Sequence, residues 1–144
     1  MPFNINRETD YAIRVILALS KRIQGVRVSS SVVQEEMLIP KAISQRIIAK
    51  LAQAGFINTF FGRKGGIELA HPPSDISLHQ IVELFEGSIT VSECITEDND
   101  CPFTGTCPVQ KCWISLRSAI VEELESTNFE DLALEAQSPE QVVR

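Results

Sequence analysis

No apolar run in these 144 residues approaches the ~18 needed to cross a membrane, so no spanning helix is expected. The opening segment, Met1-Pro-Phe-Asn-Ile-Asn-Arg-Glu-Thr-Asp10, has no apolar signal region, and a cytoplasmic location is expected. Histidine is scarce: His71 and His79 are the only two, each at the edge of an element and far in sequence from any cysteine, so surface or capping roles are expected of both. No paired acid/base or nucleophile–base constellation appears, and the chain is not expected to be an enzyme. Internal repeats and low-complexity segments are absent. Cations are scarce in one half only. Residues 76–144 carry three Lys/Arg against thirteen Asp/Glu, a balance of −10, while residues 1–75 carry ten against six, a balance of +4. The net charge of −6 therefore conceals a basic front half that a polyanion would attract.

Cysteine is absent everywhere except between Cys94 and Cys112, where all four fall within nineteen positions, separated by six, five and four residues. The Cys-x-x-Cys knuckle usual for structural zinc is missing. Cys101-Pro102 and Cys107-Pro108 each join a thiol to a residue of fixed φ, and Gly105 between them permits a sharp reversal. Such a loop can aim several sulfurs around something wider than one atom, as an iron–sulfur cluster is. Zinc remains open on spacing alone. Disulfides fit the even count but belong to oxidising compartments, and buried apolar thiols do not gather four at a time in an acidic loop.

The basic half reads as a sequence of short elements. Residues 7–22 predict a helix with Tyr11, Val15, Ala18 and Leu19 on one stripe and Lys21 and Arg22 at its C-terminal, cation-favouring end. Val26 to Val28 predict a short strand, and Ser31 with Gln34 a capping box opening a helix through about Leu38. A second helix follows over residues 40–54, with Ile43, Ile47, Leu51 and Ala54 facing the core and Gly55 ending it. Its other face shows Lys41, Ala42, Gln45, Arg46 and Ala49, small residues mixed with long donors, as a major-groove surface requires. A merely solvated amphipathic helix would look similar. The next stretch decides between them: strands over 56–61 and 67–70 flank Gly62-Arg-Lys-Gly-Gly66, a cationic tip whose glycines allow close approach to phosphates. Helix, turn, longer helix and basic hairpin make a winged helix-turn-helix, with the second helix in the major groove and the tip on phosphates or in the adjacent minor groove. Lys41, Ala42, Gln45, Arg46, Arg63, Lys64 and Gly65 are the expected DNA contacts.

Beyond His71-Pro-Pro73, Ser77 and Gln80 form a capping box for a helix through Gly87, with Ile81, Leu84 and Phe85 inward. After the cysteine loop, Pro108 starts a long helix to about Ser126. Val109, Trp113, Leu116, Ile120 and Leu124 step along it by four, three, four and four, and such a stripe is most simply covered by its twin in a homodimer. Thr127 and Glu130 predict a cap for a last helix carrying Phe129 and Leu132, and residues 136–144 are expected to fray. The expected fold is mostly α with a small β-hairpin wing: a winged helix-turn-helix domain over 1–87, a cysteine loop over 88–107, and a dimerisation helix with tail over 108–144.

This combination resembles the IscR/NsrR family of iron–sulfur winged-helix transcription regulators, the Rrf-two superfamily. The likeness runs from Thr9-Asp10-Tyr11-Ala12 to Thr127-Asn-Phe-Glu-Asp-Leu132 and rests on the Gly62-Arg-Lys-Gly-Gly66 wing, the cysteine loop and Trp113. Cys101-Pro-Phe-Thr-Gly-Thr-Cys107 is similar to the loop of NsrR-type nitric-oxide sensors. The resemblance implies a homodimer on a palindromic double-stranded operator, each protomer holding one cluster through Cys94, Cys101 and Cys107; 4Fe–4S is the favoured form and 2Fe–2S the alternative. In the IscR branch a histidine after the third cysteine completes the site, and this chain has none there. In NsrR-like members an acid early in the partner's first helix does so, and Asp10 sits at that position. The first cysteine gap is six residues where the family has five, and Cys112 is an additional thiol, the alternative fourth ligand. The implied function is a repressor sensing redox state, nitric oxide or iron supply. The alternatives are a zinc-stabilised or thiol-redox winged-helix regulator and an iron–sulfur accessory protein that does not bind DNA.

Overall fold

The computed structural model describes residues 4–137. Among these, the chain forms α1 (Arg7–Ser20), α2 (Ser30–Glu36), α3 (Lys41–Gln53), β1 (Ile57–Phe60), β2 (Gly66–Leu69), α4 (Leu78–Glu86), α5 (Pro108–Ser126) and α6 (Phe129–Gln137). No helix among the described residues is long and apolar enough to cross a membrane. The winged helix-turn-helix expected from the pattern is present, with an antiparallel hairpin pairing Ile57 with Leu69 and Phe60 with Gly66.

The centre of the fold is α1, which packs against α2, α3, α4 and α6. Tyr11, Val15, Ala18 and Leu19 are buried as expected, and Ala12 and Ile16 beside them widen the buried arc, because neighbours cover this helix on several sides. Asn6 caps its start by accepting from the Thr9 backbone N–H at 2.9 Å. The helix ends at Ser20, two residues before the expected boundary. Lys21 and Arg22 lie past the last turn and serve tertiary structure instead: both reach Glu36 at the end of α2, at 3.4 and 2.5 Å. Arg22, hydrogen-bonded to Glu36, holds its carboxyl below the usual carboxylate range, with Lys21 adding to the effect. A depressed folded-state pKa contributes stability that is present above the unfolded value near 4.3 and lost as pH falls through the folded one. Glu36→Gln should therefore lower the melting temperature at neutral pH and narrow the gap to wild type below about pH 4. Melting curves across pH 3–7 check this.

Other boundaries also differ from the sequence pattern: the strands run Ile57–Phe60 and Gly66–Leu69 rather than 56–61 and 67–70. Val26–Val28 is not a free strand; only Val28 pairs, bridging Ile67 at the edge of the hairpin. Helix α2 starts two residues early, because the Ser29 hydroxyl, not Ser31, takes the cap and accepts from Ser31 N–H at 3.3 Å. Ahead of α6, the Thr127 hydroxyl donates to the Glu123 carbonyl at 2.9 Å, which leaves the cap to Asn128, whose side chain accepts from Asp131 N–H. Ile47 and Leu51 of α3 are buried as expected, while Ala54 is an exposed C-cap and Pro40 the N-cap. The Ser77/Gln80 capping box is intact, at 2.8 and 3.2 Å. Ile81 and Phe129 are fully buried beside α1, so the last helix returns to the core that the front half forms. Residues 138–144, part of the stretch expected to fray, lie outside the described residues; Ala136 and Gln137 remain helical.

Candidate nucleic-acid interface and cysteine site

Helix α3 turns Ile47, Ile48 and Leu51 inward, which leaves Lys41, Ala42, Gln45, Arg46 and Ala49 exposed on the opposite face. The wing stands beside that face. Between them runs a groove of about 590 Å³ whose lining includes Ser29 and Ser30 at the start of α2, Gln45 and Ala49 of α3, and Phe61 and Arg63 of the wing. No carboxylate lines it. Arg63 and Lys64 are exposed and, with Lys41, enter none of the ion pairs among the described residues. Arg46 is the exception, its Nε standing 3.6 Å from Glu8 in the first turn of α1.

The wing glycines serve a purpose different from the expected one. Gly62 has φ +91, as its turn demands. A Cβ at Gly65 would lie 2.5 Å from the Phe60 carbonyl oxygen, and one at Gly66 2.7 Å from that of Val28. Tight internal packing of the tip therefore requires both residues, and Gly65 is half-buried. Arg27 was not picked out by the sequence pattern. Its guanidinium lies 3.4 Å from the Phe60 ring centroid and donates to the Lys64 carbonyl at 3.3 Å, bracing the wing from beneath.

The Glu8–Arg46 pair is an exposed ion pair of the kind worth about 0.2–1 kcal/mol. In a complex that places Arg46 on DNA, this pair would compete for the guanidinium. Glu8→Gln should tighten DNA binding by roughly 1.5- to 5-fold, measured by fluorescence anisotropy on a duplex selected by the wild-type chain. Unchanged or weaker binding would remove Glu8 from any such competition.

The cysteine loop leaves α4 at Gly87 and ends on α5. Within it, Ser92 caps a single turn over Glu93–Ile95, and its hydroxyl lies 3.2 Å from Cys94 Sγ. Asn99 accepts from the Cys101 backbone N–H at 3.2 Å and from the Thr104 hydroxyl at 2.8 Å. Gln110, in the first turn of α5, straps the two sides of the loop. Its amide donates to the Cys94 carbonyl at 3.2 Å, and its oxygen accepts from Gly105 N–H at 3.0 Å. Cys94, Cys101 and Cys107 consequently line one small cavity of about 30 Å³, with Phe103, Thr104 and Gln110. Cys94 and Cys101 also border an open bowl of about 610 Å³. All three are half-buried, whereas Cys112 is exposed in the second turn of α5 and lines neither space. Ser92, Asn99 and Gln110 were missed by sequence reasoning. The signal for Gln110 was a polar residue facing back from a helix start.

Asp10 stands elsewhere in its own chain, half-exposed at the start of α1 and paired with Arg14 at 2.8 Å. His71 is exposed, and His79 lies 3.3 Å from Glu83 and 3.8 Å from Glu125, apart from the thiols. Among the described residues no three or more His, Cys, Asp or Glu are grouped as ligands of one metal ion. Helix α5 has no buried residue. Val109, Ile114 and Leu116 are exposed, and Trp113 is half-covered. The rest of the stripe, Ile120 and Leu124, turns to a cavity of about 240 Å³ shared with Val82 of α4 and Ile89.

Residues 5–135 match the Rrf2 family, described as "Iron-dependent Transcriptional regulator". The chain belongs to that family. It is 28% identical over 125 residues to the HTH-type transcriptional regulator NsrR of Bacillus subtilis (strain 168), covering 86% of each chain. Among solved structures it is similar to CymR (YrzC), the global cysteine regulator of B. subtilis, with a TM-score of 0.78 and 25% identity over 93% of this chain and 98% of that one. It shares its fold with T. potens IscR at a TM-score of 0.77 and 21% identity, covering 100% and 96%. As a member of the Rrf2 family, the chain is a DNA-binding transcription regulator.

Proposed function

We propose that this Rrf2 regulator acts as a homodimeric, cluster-dependent repressor on a palindromic operator. The observation that carries the reading is the convergence of Cys94, Cys101 and Cys107 on one cavity while Cys112 faces solvent. Thiolates are the donors that iron–sulfur clusters take, and the bowl beside Cys94 and Cys101 supplies room. Bound there, a cluster supplies a centre that responds to redox state, nitric oxide or iron supply. The chain's own residues prepare the site. The Ser92 hydroxyl stands against Cys94 Sγ, Asn99 fixes the turn between Cys101 and Thr104, and Gln110 holds the loop against α5. The proposed cluster is of the 4Fe–4S form, with 2Fe–2S as the alternative.

Asp10 of the partner is the proposed fourth ligand. It lies at the start of α1, the helix against which the DNA-binding unit packs, so occupancy of the site would bias the placement of α3. Cys112 would compete only by turning inward from its exposed position. Dimerisation through Val109, Trp113 and Leu116 covers the open half of α5. The likeness to CymR favours a second reading, a regulator whose free thiols act without a cluster. Cluster reconstitution of separate Asp10→Ala and Cys112→Ala chains tests the assignment. Asp10→Ala should shorten cluster lifetime in air by at least several-fold, and Cys112→Ala should leave spectrum and lifetime as in wild type. The reverse result would make the site four-cysteine, and stable thiols with no cluster in either would favour the CymR-like reading.

A further inference from the structure

Phe61 is 96% exposed at the end of β1, the most open of the large apolar side chains in the described chain. Its neighbour Phe60 is half-covered and held under Arg27, so of the two adjacent rings only one is left without a partner. The mount beneath it is stiff. Gly62 turns the chain at φ +91, Gly65 N–H donates to the Gly62 carbonyl at 3.0 Å, and the tip has no space for a Cβ at Gly65 or Gly66. The ring is thus carried by a braced turn rather than a floppy loop. Arg63 and Lys64 follow at once, exposed and outside every ion pair of the described residues. Phe61 also lines the groove between wing and α3, whose lining holds Gln45 and Arg63 and no carboxylate.

An apolar partner would not tolerate the flanking cations, and a simple phosphate contact would not need the ring. A nucleic-acid groove meets both demands, because large apolar side chains set among cations enter minor grooves and part adjacent base steps. We propose that Phe61 is a wedge: it inserts into the minor groove beside each half-site, partly unstacks one base step and bends the duplex toward the major groove. The inference rests on the placement of residues 40–66 against DNA and adds to it a mode of reading by deformability. Pyrimidine–purine steps part most readily, so the wedge would favour such a step at a position that no side chain reads by hydrogen bonding.

The test uses duplexes that the full wild-type chain selects from a random-sequence pool, remade with 2-aminopurine at successive positions flanking the half-sites and with dyes at their ends. Wild type should raise 2-aminopurine emission several-fold at one step per half-site and shorten the end-to-end distance. Phe61→Ala should abolish the emission rise, relax the bend and erase the pyrimidine–purine preference in a repeated selection, while keeping the salt dependence that Arg63 and Lys64 set. Phe61→Leu should restore part of the emission rise. Since the ring is exposed, thermal melting of the variants should match wild type. Wild-type emission and bending in Phe61→Ala overturns the wedge while leaving DNA binding intact. An unchanged salt slope in an Arg63→Ala/Lys64→Ala chain overturns the placement of the wing itself, and the wedge with it.

Discussion

Leu116→Asp should convert the protein to monomers in sedimentation and remove most of its operator affinity. Leu116 is 38% exposed on a helix with no buried residue, next to Trp113 and one turn or two from Val109. Val109, Ile114 and Leu116 on that half of α5 remain exposed among the described residues. A twofold seam there would place one unpaired carboxylate from each protomer in an apolar interface. Each such charge costs about 3–5 kcal/mol, so the dimer should weaken by at least ~10⁴-fold. Ile120 gives a useful contrast, because it lines a cavity within its own chain against Val82 and Ile89. Ile120→Asp should lower the melting temperature of the protomer as well as its association. A Leu116→Asp chain that remains fully dimeric would move the interface off α5.

The second large effect is expected at the wing. Arg63→Ala/Lys64→Ala removes two exposed cations per protomer that no carboxylate neutralises among the described residues. If each displaces about one counterion, a dimer loses up to about four units from the slope of log K against log salt, and affinity near 0.1 M salt falls by roughly 10²-fold or more. The loss should be similar on selected and random duplexes. Gln45 or Arg46 replacements should instead change which sequence is preferred, by about 1–3 kcal/mol per lost base contact. An unchanged slope in the double variant would take the wing off the DNA.

Much of this was legible because the signals were local. The Ser77/Gln80 box, the start of α5 at Pro108 and the inward Ile47 and Leu51 all depend on neighbours within a turn or two. What the pattern missed depends on contacts distant in sequence. Lys21 and Arg22 look like helix-end cations, but Glu36 draws them into a tertiary cluster. Thr127 looks like a cap, but its hydroxyl turns back to Glu123 and Asn128 takes its place. The wing glycines look like room for a phosphate, but they make room for Val28 and for the chain's own turn. Phe61 falls within the strand expected over 56–61, and nothing in the pattern separates it from Phe60; only the structure leaves it 96% exposed. The cysteine loop was visible from spacing and the trio within it only through the family resemblance, whereas the strap that Gln110 makes across the loop was not visible, since it joins residues sixteen and five positions away.

The most direct test of the account is the combined absorption and Mössbauer spectrum of protein purified without oxygen. The account predicts a brown chain with charge-transfer absorption in the visible, about four irons and four sulfides per protomer, and an iron spectrum typical of a thiolate-held cluster. Cys94→Ser, Cys101→Ser and Cys107→Ser should each lose that signature, and Cys112→Ser should keep it. A colourless wild-type protein with stoichiometric zinc, or with four free thiols and no iron, would contradict it.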